Sequence, residues 1–499
     1  MRRGHLGTAA VAAAWLVAAG GASGQQGCQF VEGSGTMSRI DAGGGPITYV
    51  STPNLVCADG VRIRADSAVS FQASNFVQLV GNVRFDDPER RLTARNAEYY
   101  TGAVGRLQAH GGSQLTQKTD SSVIRGDDMV YERAGNGRAR SLLDVTGGRP
   151  TARLYMKSAD SATAPRRDTA AAPYDITADH IVIEGDSYFR ARGTVEIERD
   201  DMRAFGDSIE YDQVAGTLRI TANARMLLEE RVLTADEITT AFTGGDVREI
   251  EARHRAILTS EDLRLRAPVV RVYFTDGKMG RLVAVSIPPE APEPGVLSPN
   301  TPSSRDPDRA RPVATTDKFE IVGDSLDMLA PGEVLDRIHA TGSARAESST
   351  RDSLNTPETP ALARTDWMEG DTIVAIFEDR AGDSTAAAAV ADTASAPLQL
   401  ESLTASGKAR SLYRMAPNDS AQVRGEKRPA IHYVTATAIT LQMDAGEVTR
   451  MDVVGETDGI HAEPARGSPP SAPATPPSAE TPPPTTPGEQ PDDAPPPDR

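Results

Sequence analysis

The chain has 499 residues, of which 38% are hydrophobic, 25% are charged and only 5% are aromatic. This apolar fraction is too high for a wholly disordered chain and too low for a protein that crosses a membrane several times. The net charge of −17 argues against a nucleic-acid-binding protein, because little would drive counterion release from phosphates. With seven His and two Cys, we expect no metal site and no cofactor.

The N-terminus has the features of an export signal. Arg2 and Arg3 precede an apolar run from Leu6 to Ala19, and small residues follow at 22–24. The run is about 14 residues long, shorter than the ~20 needed to span a bilayer. The sequence therefore predicts a cleaved signal peptide at residues 1–24; the alternative is an uncleaved membrane anchor.

Two cysteines follow the predicted signal peptide. Cys28 lacks the aliphatic residue that a lipid-attachment site expects three positions upstream, where Gln25 stands. In an oxidising compartment, Cys28 and Cys57 could instead form a disulfide. A single pair with no spacing pattern leaves this question open.

The rest of the chain contains a degenerate repeat, in which a short strand passes through an Ala-Asp-like or Gly-Asp-like step and a second strand returns after a turn. The clearest openings are Arg64–Val69, Thr93–Tyr99, Arg125–Tyr131, Thr177–Ile183, Phe205–Tyr211 and Thr234–Ile238. The acidic or amide anchors are 30 and 31 residues apart in the first set and 28 and 29 apart in the second: Asp66, Asn96 and Asp127, then Asp179, Asp207 and Asp236. A period near thirty predicts one antiparallel hairpin per repeat.

The returning strands alternate in one phase. Val195 and Ile197 fall on one face and Glu196 on the other, and the same alternation recurs in the other copies. Because a one-residue slip would invert the faces, this recurrence predicts a continuous aliphatic face along all the hairpins. The repeated Asp residues supply one carboxylate each, too few for calcium, so we expect them to bond to backbone groups at turns or strand ends.

Composition divides the mature chain. We expect β-repeat regions at 37–157, 173–287 and 317–460, linkers at 158–172 and 288–316, and a disordered Pro-rich tail at 461–499. Segments 348–361 and 381–397 have the composition of insertions. The segment 288–316 is expected to hold no central strand, because proline donates no ladder hydrogen bond.

Gly and Ala recur on the aliphatic face, where a compact sandwich would use larger side chains. One interpretation is that the two sheets splay apart and leave an apolar groove suited to acyl chains. The other is that small residues let the strands bend or pack closely in a solid β-stack. Composition leaves both open.

The Thr-Ala-Asp-x-Ile openings, as at Thr177–Ile181, and the Gly-x-Val returns, as at Gly193–Val195, resemble the OstA-like family over about Ser38 to Gly455. This family includes periplasmic bridge proteins of lipopolysaccharide export and the N-terminal periplasmic domain of the outer-membrane assembly protein. The resemblance implies an all-β fold of stacked antiparallel hairpins, a twisted β-jellyroll (β-taco). It also implies a periplasmic location, possible association with the outer membrane, and transport of lipopolysaccharide with the lipid A acyl chains in the interior.

The resemblance implies a lipid-binding face and no catalytic set, so we expect no enzyme activity. The residues expected to line the groove are Val83, Phe85, Leu107, Phe189, Val195, Ile197, Ile209, Tyr211, Leu218 and Ile220. Ordinary core is the competing interpretation for each of them. The alternative function is a structural or adhesive β-solenoid of the cell envelope.

The expected stack also implies partners at its ends. About 20 strands shared between two sheets would make a rod about 50 Å long. Its unpaired end strands would bind other lipopolysaccharide-export proteins by edge-strand pairing, or associate end to end with another copy.

Overall fold

A computed structural model describes residues 27–101, 105–135, 137–155, 172–200, 202–287, 310–350, 352–355, 359–378, 399–415, 429–444 and 447–463. The predicted signal peptide, the segment 381–397 and nearly all of the predicted tail lie outside these residues. Within them the protein is all-β, as predicted, with thirty strands in one antiparallel network. No helix in this part of the chain is long and apolar enough to cross a membrane.

The strands run in chain order as follows. Strands β1 to β10 are Cys28–Phe30, Met37–Ala42, Gly45–Ser51, Asn54–Cys57, Arg62–Arg64, Ser67–Phe71, Phe76–Asp86, Arg90–Tyr100, Arg106–Gln117 and Val123–Glu132. Strands β11 to β20 are Leu142–Thr146, Thr151–Leu154, Tyr174–Thr177, His180–Glu184, Tyr188–Arg199, Met202–Asp212, Thr217–Leu228, Arg231–Thr243, Asp246–Thr259 and Arg264–Thr275. Strands β21 to β30 are Lys278–Val285, Val313–Thr315, Phe319–Val322, Ser325–Leu329, Arg337–Ser348, Asp366–Phe377, Leu400–Met415, Ala430–Asp444, Glu447–Val454 and Asp458–Ala462. Short 3-10 turns lie at Gln72–Ser74, Pro331–Glu333, Asp352–Leu354 and Ala361–Ala363.

Each long strand turns a corner near its middle, so that its two halves belong to different walls. In β15, the register with β16 shifts between Arg192 and Val195. The half before this shift pairs with β14, and the half after it pairs with β13. Equivalent shifts occur in the other long strands. We call each such folded unit a rung and the line of aligned corners the crease.

The rungs form two continuous walls that meet at the crease. Wall A contains β2, β3, β6, β11, β14, β21, β24, β29 and one half of every long strand. Wall B contains β1, β4, β5, β12, β13, β22, β23, β30 and the other halves. Eight rungs consist of two short strands and fourteen of one long strand, so the thirty described strands make 22 rungs.

The number of rungs corrects the predicted length of the stack. We expected the strands to be divided between two sheets, but every rung contributes to both walls. At about 4.8 Å per rung, the stack is about 100 Å long, twice the expected value. Strand pairing also continues past both predicted linkers, because β12 pairs with β13 and β21 pairs with β24.

The expectation that 288–316 contains no central strand was wrong. Val313–Thr315 forms β22, which pairs with β20 on one side and β23 on the other. The prolines of this segment end at Pro312, so the three residues that follow retain their N–H donors. Val285, the last residue of β21, faces Val269 of β20, and Val313, the first residue of β22, faces Arg266 of β20, so both strands end at the crease.

The corners explain the repeated Asp and Gly residues. Gly81 and Asn82 both adopt positive φ, at 77° and 48°, and a Cβ on Gly81 would collide with the Asp66 carboxylate. Asn82 Nδ2 donates to Asp66 Oδ2 at 2.8 Å, so the anchor Asp lies at a strand end, as predicted, but bonds to a side chain. Gly193 meets Asp179 in the same way. These glycines therefore allow the backbone to bend at the corner, and they do not create empty space on the inner face.

The alternating phase is confirmed. Val195 and Ile197 are buried between the walls, whereas Glu196 points away from the interior. One apolar cluster runs through the stack from Leu55 to Leu441. The cluster is continuous because each corner bulge contains two residues. An even number of residues keeps the same set of alternate side chains facing inward on both sides of the corner.

The hairpin tips of the two walls meet along a line opposite the crease, which we call the seam. The seam joins tips that are three to five rungs apart: Asp59 of wall B contacts Arg133 of wall A, and Arg231 of wall B contacts Glu333 of wall A. The walls are therefore offset along the stack. As a result, the first strand of wall A and the last strand of wall B have no facing strand in the described structure, and β30 is exposed along its whole length.

A disulfide fixes the first rungs. Cys28 in β1 and Cys57 in β4 are bonded, with their Cα atoms 4.0 Å apart. The same two residues face each other in the β1–β4 register. The disulfide left open by the sequence is therefore present, and it ties the N-terminal strand of wall B to its neighbour.

Candidate functional site

The space between the walls is the candidate functional site, and the structure places all ten predicted lining residues there. None is more than 7% exposed. Three lie on β7 and β9, and seven form a group on β15, β16 and β17: Val83, Phe85 and Leu107, then Phe189, Val195, Ile197, Ile209, Tyr211, Leu218 and Ile220. In this state they are core residues. Their contact with lipid stays a prediction, and it requires the walls to separate.

Aromatic rings fill the interior near the seam. Phe85 of wall B packs against Tyr99 and Tyr131 of wall A, with ring centroids 6.0 and 5.9 Å apart. Further along the stack, Tyr174 of wall B packs against Tyr211 of wall A at 5.5 Å. Burial raises the pKa of Tyr99 to about 12, because the interior disfavours the phenolate. The rings therefore fill the space between the walls beside both sets of predicted lining residues, those on β7 and β9 and those on β15–β17.

Polar contacts close the seam above these rings. Tyr131 Oη donates to Asp87 Oδ2 at 2.8 Å. Arg90 Nη2 donates to Asp186 Oδ1 at 3.0 Å and Arg90 Nη1 donates to Ser141 Oγ at 2.5 Å. Each of these bonds joins one wall to the other, so together they close the seam between these hairpin tips.

The closure continues at wider intervals toward the C-terminus. Arg199 of wall B donates to the Gly245 carbonyl of wall A at 3.4 Å, and its guanidinium lies 4.8 Å from the Tyr174 ring centroid. Arg231 Nη1 contacts Glu333 Oε1 at 3.3 Å. This pair lies at the edge of the first of two clefts into which the seam opens.

The first cleft lies between the tips of β17–β20 and β24–β25. Its walls are apolar, with Leu258, Leu263 and Leu282 among the lining side chains, and its volume is about 520 Å³. Its rim is acidic and includes Glu229, Glu230, Glu261, Asp262, Glu333 and Glu378. An amphiphile could place an apolar chain here, but the rim would repel an anionic headgroup.

The second cleft lies further along and shares Gln399 with the first. Phe319 from wall B and Leu400, Leu403 and Leu441 from wall A line it, around a cavity of about 80 Å³. One side is polar: Asp366 also lines the cleft and accepts hydrogen bonds from Arg414 Nε and the Arg414 backbone N–H, at 2.8 and 2.9 Å. The buried Arg414 charge is thereby neutralised.

Sequence reasoning missed this second cleft. Its residues alternate like those of the closed segment, and the difference depends on which tip faces which across the seam. The offset of the walls leaves the last rungs with few facing tips, so the interior opens there. The repeat pattern contains no signal of that offset, because the pattern records pairing between successive rungs only.

Comparisons with known proteins give limited similarity. No protein-family model and no curated protein matches the chain. Among solved structures, the chain is similar to LptH, the LptA-homologous periplasmic component of the lipopolysaccharide transport device of Pseudomonas aeruginosa. The identity is 12% and the TM-score 0.12, over 41% of this chain and 99% of LptH. A TM-score this low supports no conclusion about function.

Proposed function

We propose that this protein is a periplasmic bridge that carries lipopolysaccharide toward the outer membrane, with the acyl chains of lipid A between the two walls. The observation that carries the proposal is the unbroken apolar cluster from Leu55 to Leu441. Burial of acyl chains there would yield about 25 cal/mol per Å² without a specific polar contact. The proposed partners are other lipopolysaccharide-export proteins, bound by edge-strand pairing, and the proposal includes no catalytic step.

The two clefts at the C-terminal end support this proposal in a second way. Leu400 and Leu403 line a cleft that is present in the observed state, whereas Phe189 and Ile220 become accessible only when the walls part. The clefts are therefore the proposed point at which chains enter or leave. The acidic rim of the first cleft favours a pose in which the anionic headgroup stays away from the rim.

A photo-crosslinking experiment in cells tests the proposal. The photoreactive residue is placed at Leu403 in the open cleft, at Val195 or Ile220 in the closed interior, and at Arg219 on the outer face as a matched control. We expect lipopolysaccharide adducts at the inner positions and none at Arg219, whose side chain is 55% exposed. Silence at every inner position would refute transport through the interior.

The closed seam favours a second candidate function. A tube filled by Phe85, Tyr99 and Tyr131 resembles a solid β-solenoid more than an open groove. A structural or adhesive role of the outer face would need no opening of the walls. This candidate predicts that a covalent link across the seam leaves function intact, whereas transport predicts that the same link blocks it.

A further inference from the structure

Arg90 differs from the other seam residues because its charge is buried while the acid that pairs with it is exposed. The Arg90 side chain is 6% exposed and the Asp186 side chain 65% exposed. Arg90 lies at the start of β8 in wall B, and Asp186 lies on the tip between β14 and β15 in wall A. The pair therefore fastens an exposed hairpin tip of one wall to a buried cation of the other.

An apolar cavity lies directly behind this pair. Arg90 and Asp186 line one side of it, and its volume is about 30 Å³. Aliphatic side chains from both walls line much of the rest: Leu115, Ile124, Leu143, Leu154 and Ile183. Gln117, Asp120 and Ser122 add polar groups to the lining. The ion pair thus stands between solvent and the apolar interior at this point of the seam.

The chemistry of the pair determines what can open it. Moving the Asp186 tip away would leave the Arg90 guanidinium without the carboxylate that contacts it, and an uncompensated buried charge is strongly destabilising. A phosphate supplies equal or greater negative charge and accepts paired hydrogen bonds from a guanidinium. Displacing Asp186 would break its contact with Arg90 and the hydrogen bond that its Oδ1 accepts from Gln117 Nε2 at 2.9 Å. Its side chain is 65% exposed, so water can replace both partners.

We propose that Arg90 is an anion-exchange clasp, in which the phosphate of an amphiphile's headgroup replaces the Asp186 carboxylate and frees the wall A tip. The apolar chain of the same molecule then enters the cavity lined by Leu115 and Ile183. This inference rests on the proposed function, since it assigns the clasp to the route that the lipid takes. It specifies the ligand class as a phosphorylated amphiphile.

Cysteine labelling of the full mature chain tests the clasp. Both native cysteines are in the disulfide, so Leu115→Cys, which is buried behind the pair, gives a single reactive thiol. Val269→Cys, which is also buried but lies outside the apolar cluster between the walls, is the matched control. The rate of reaction with a maleimide then reports how often the interior opens at each position.

We expect a long-chain alkyl phosphate to accelerate labelling of Leu115→Cys by about tenfold, as expected for loss of one charge-assisted hydrogen bond. A neutral alkyl glycoside of equal chain length should leave the rate unchanged, and inorganic phosphate alone should act more weakly than the alkyl phosphate. Asp186→Asn should accelerate labelling without any ligand. The rate at Val269→Cys should stay constant in all of these conditions.

The Arg90 variants decide between exchange and simple loosening. In Arg90→Gln the alkyl phosphate should have no effect on labelling, and in Arg90→Lys it should have a reduced effect, with circular dichroism confirming that each variant is folded. Equal acceleration by the neutral glycoside, or acceleration that persists in Arg90→Gln, would overturn the clasp. If lipopolysaccharide still crosslinks at Leu403 in that case, the transport proposal survives; absence of all adducts defeats transport instead.

Discussion

The Arg90 guanidinium donates a hydrogen bond to Asp186 at 3.0 Å across 96 residues of sequence. Contacts of this kind close the seam, whereas almost all other long-range pairing in the described residues joins one rung to the next. A stack of rungs that contact only their neighbours stabilises itself step by step. The seam adds contacts between rungs that are several steps apart, and it is therefore the part of the fold that determines whether the interior is open or closed.

The corner glycines should be intolerant of a side chain. Gly81→Ala would force a left-handed backbone on alanine and drive its Cβ into the Asp66 carboxylate. We expect a loss of about 1–3 kcal/mol in the free energy of unfolding, measured by urea denaturation. Gly280→Ala is the control, because its Cβ would meet only the Thr275 hydroxyl at 3.9 Å. Equal losses of unfolding free energy in both variants would contradict the requirement for glycine at the corner.

Buried tyrosines should make the fold sensitive to alkali. The pKa of Tyr99 is raised by burial from 10.0 to about 12, so its contribution to stability is complete below pH 10 and is lost as the pH rises toward 12. The two-unit difference corresponds to about 3 kcal/mol. Tyr99→Phe should flatten the fall of the melting temperature over this range. Tyr49→Phe, at an exposed position, should leave the wild-type profile unchanged.

An outer-face ion pair should act at the opposite end of the pH scale. Burial opposes ionisation of Glu251, but hydrogen bonds from Arg253 and Arg271 lower its pKa below 4.5. A carboxylate with a lowered pKa contributes stability above its ordinary pKa, and that contribution disappears as the pH falls through the folded-state value. Glu251→Gln should therefore reduce the melting temperature at pH 7 and have little effect in strong acid. The exposed Glu447→Gln is the control, and a pH-independent effect of Glu251→Gln would argue against this account.

Self-association should depend on the edge strands. The free edges of β2 and β30 in the described structure are exposed and can pair with another chain. At high protein concentration we expect crosslinked oligomers of the wild-type chain. Ile40→Lys or Ile460→Lys should reduce them, because charge protects an edge strand from pairing. Val214→Lys, at an exposed hairpin tip, should have no effect, and a population of monomers alone in the wild type would contradict end-to-end association.

The all-β fold and the inner face were predictable because both depend on local alternation. Val195 and Ile197 alternate with Glu196, and no other local structure gives that pattern a single buried face. Alternation could not distinguish an inward-facing glycine from a corner glycine, since Gly193 occupies the same phase in either case. It also gave no sign that each strand is shared by two walls, which doubled the length of the stack.

The seam and the open cleft were beyond the reach of sequence reasoning for a different reason. Arg90 is one of many exposed-looking arginines in the sequence, and nothing in its neighbours indicates that it is buried against a tip 96 residues away. Phe319 and Leu403 have the same alternating context as the residues that are sealed. Which of them is accessible depends on the offset of the walls, a property of the whole stack.

That offset gives the stack staggered ends, like a duplex cut at different positions on its two strands. Met37, which faces Val50 in the register of wall A, is 48% exposed at one end, where wall B has no facing strand among the described residues. At the other end, His461 lies on the last strand of wall B, β30, where it faces His432 of β28. A second stack placed head to tail would lay its overhanging wall against the bare wall of the first, so the junction would complete a cross-section that neither molecule completes alone.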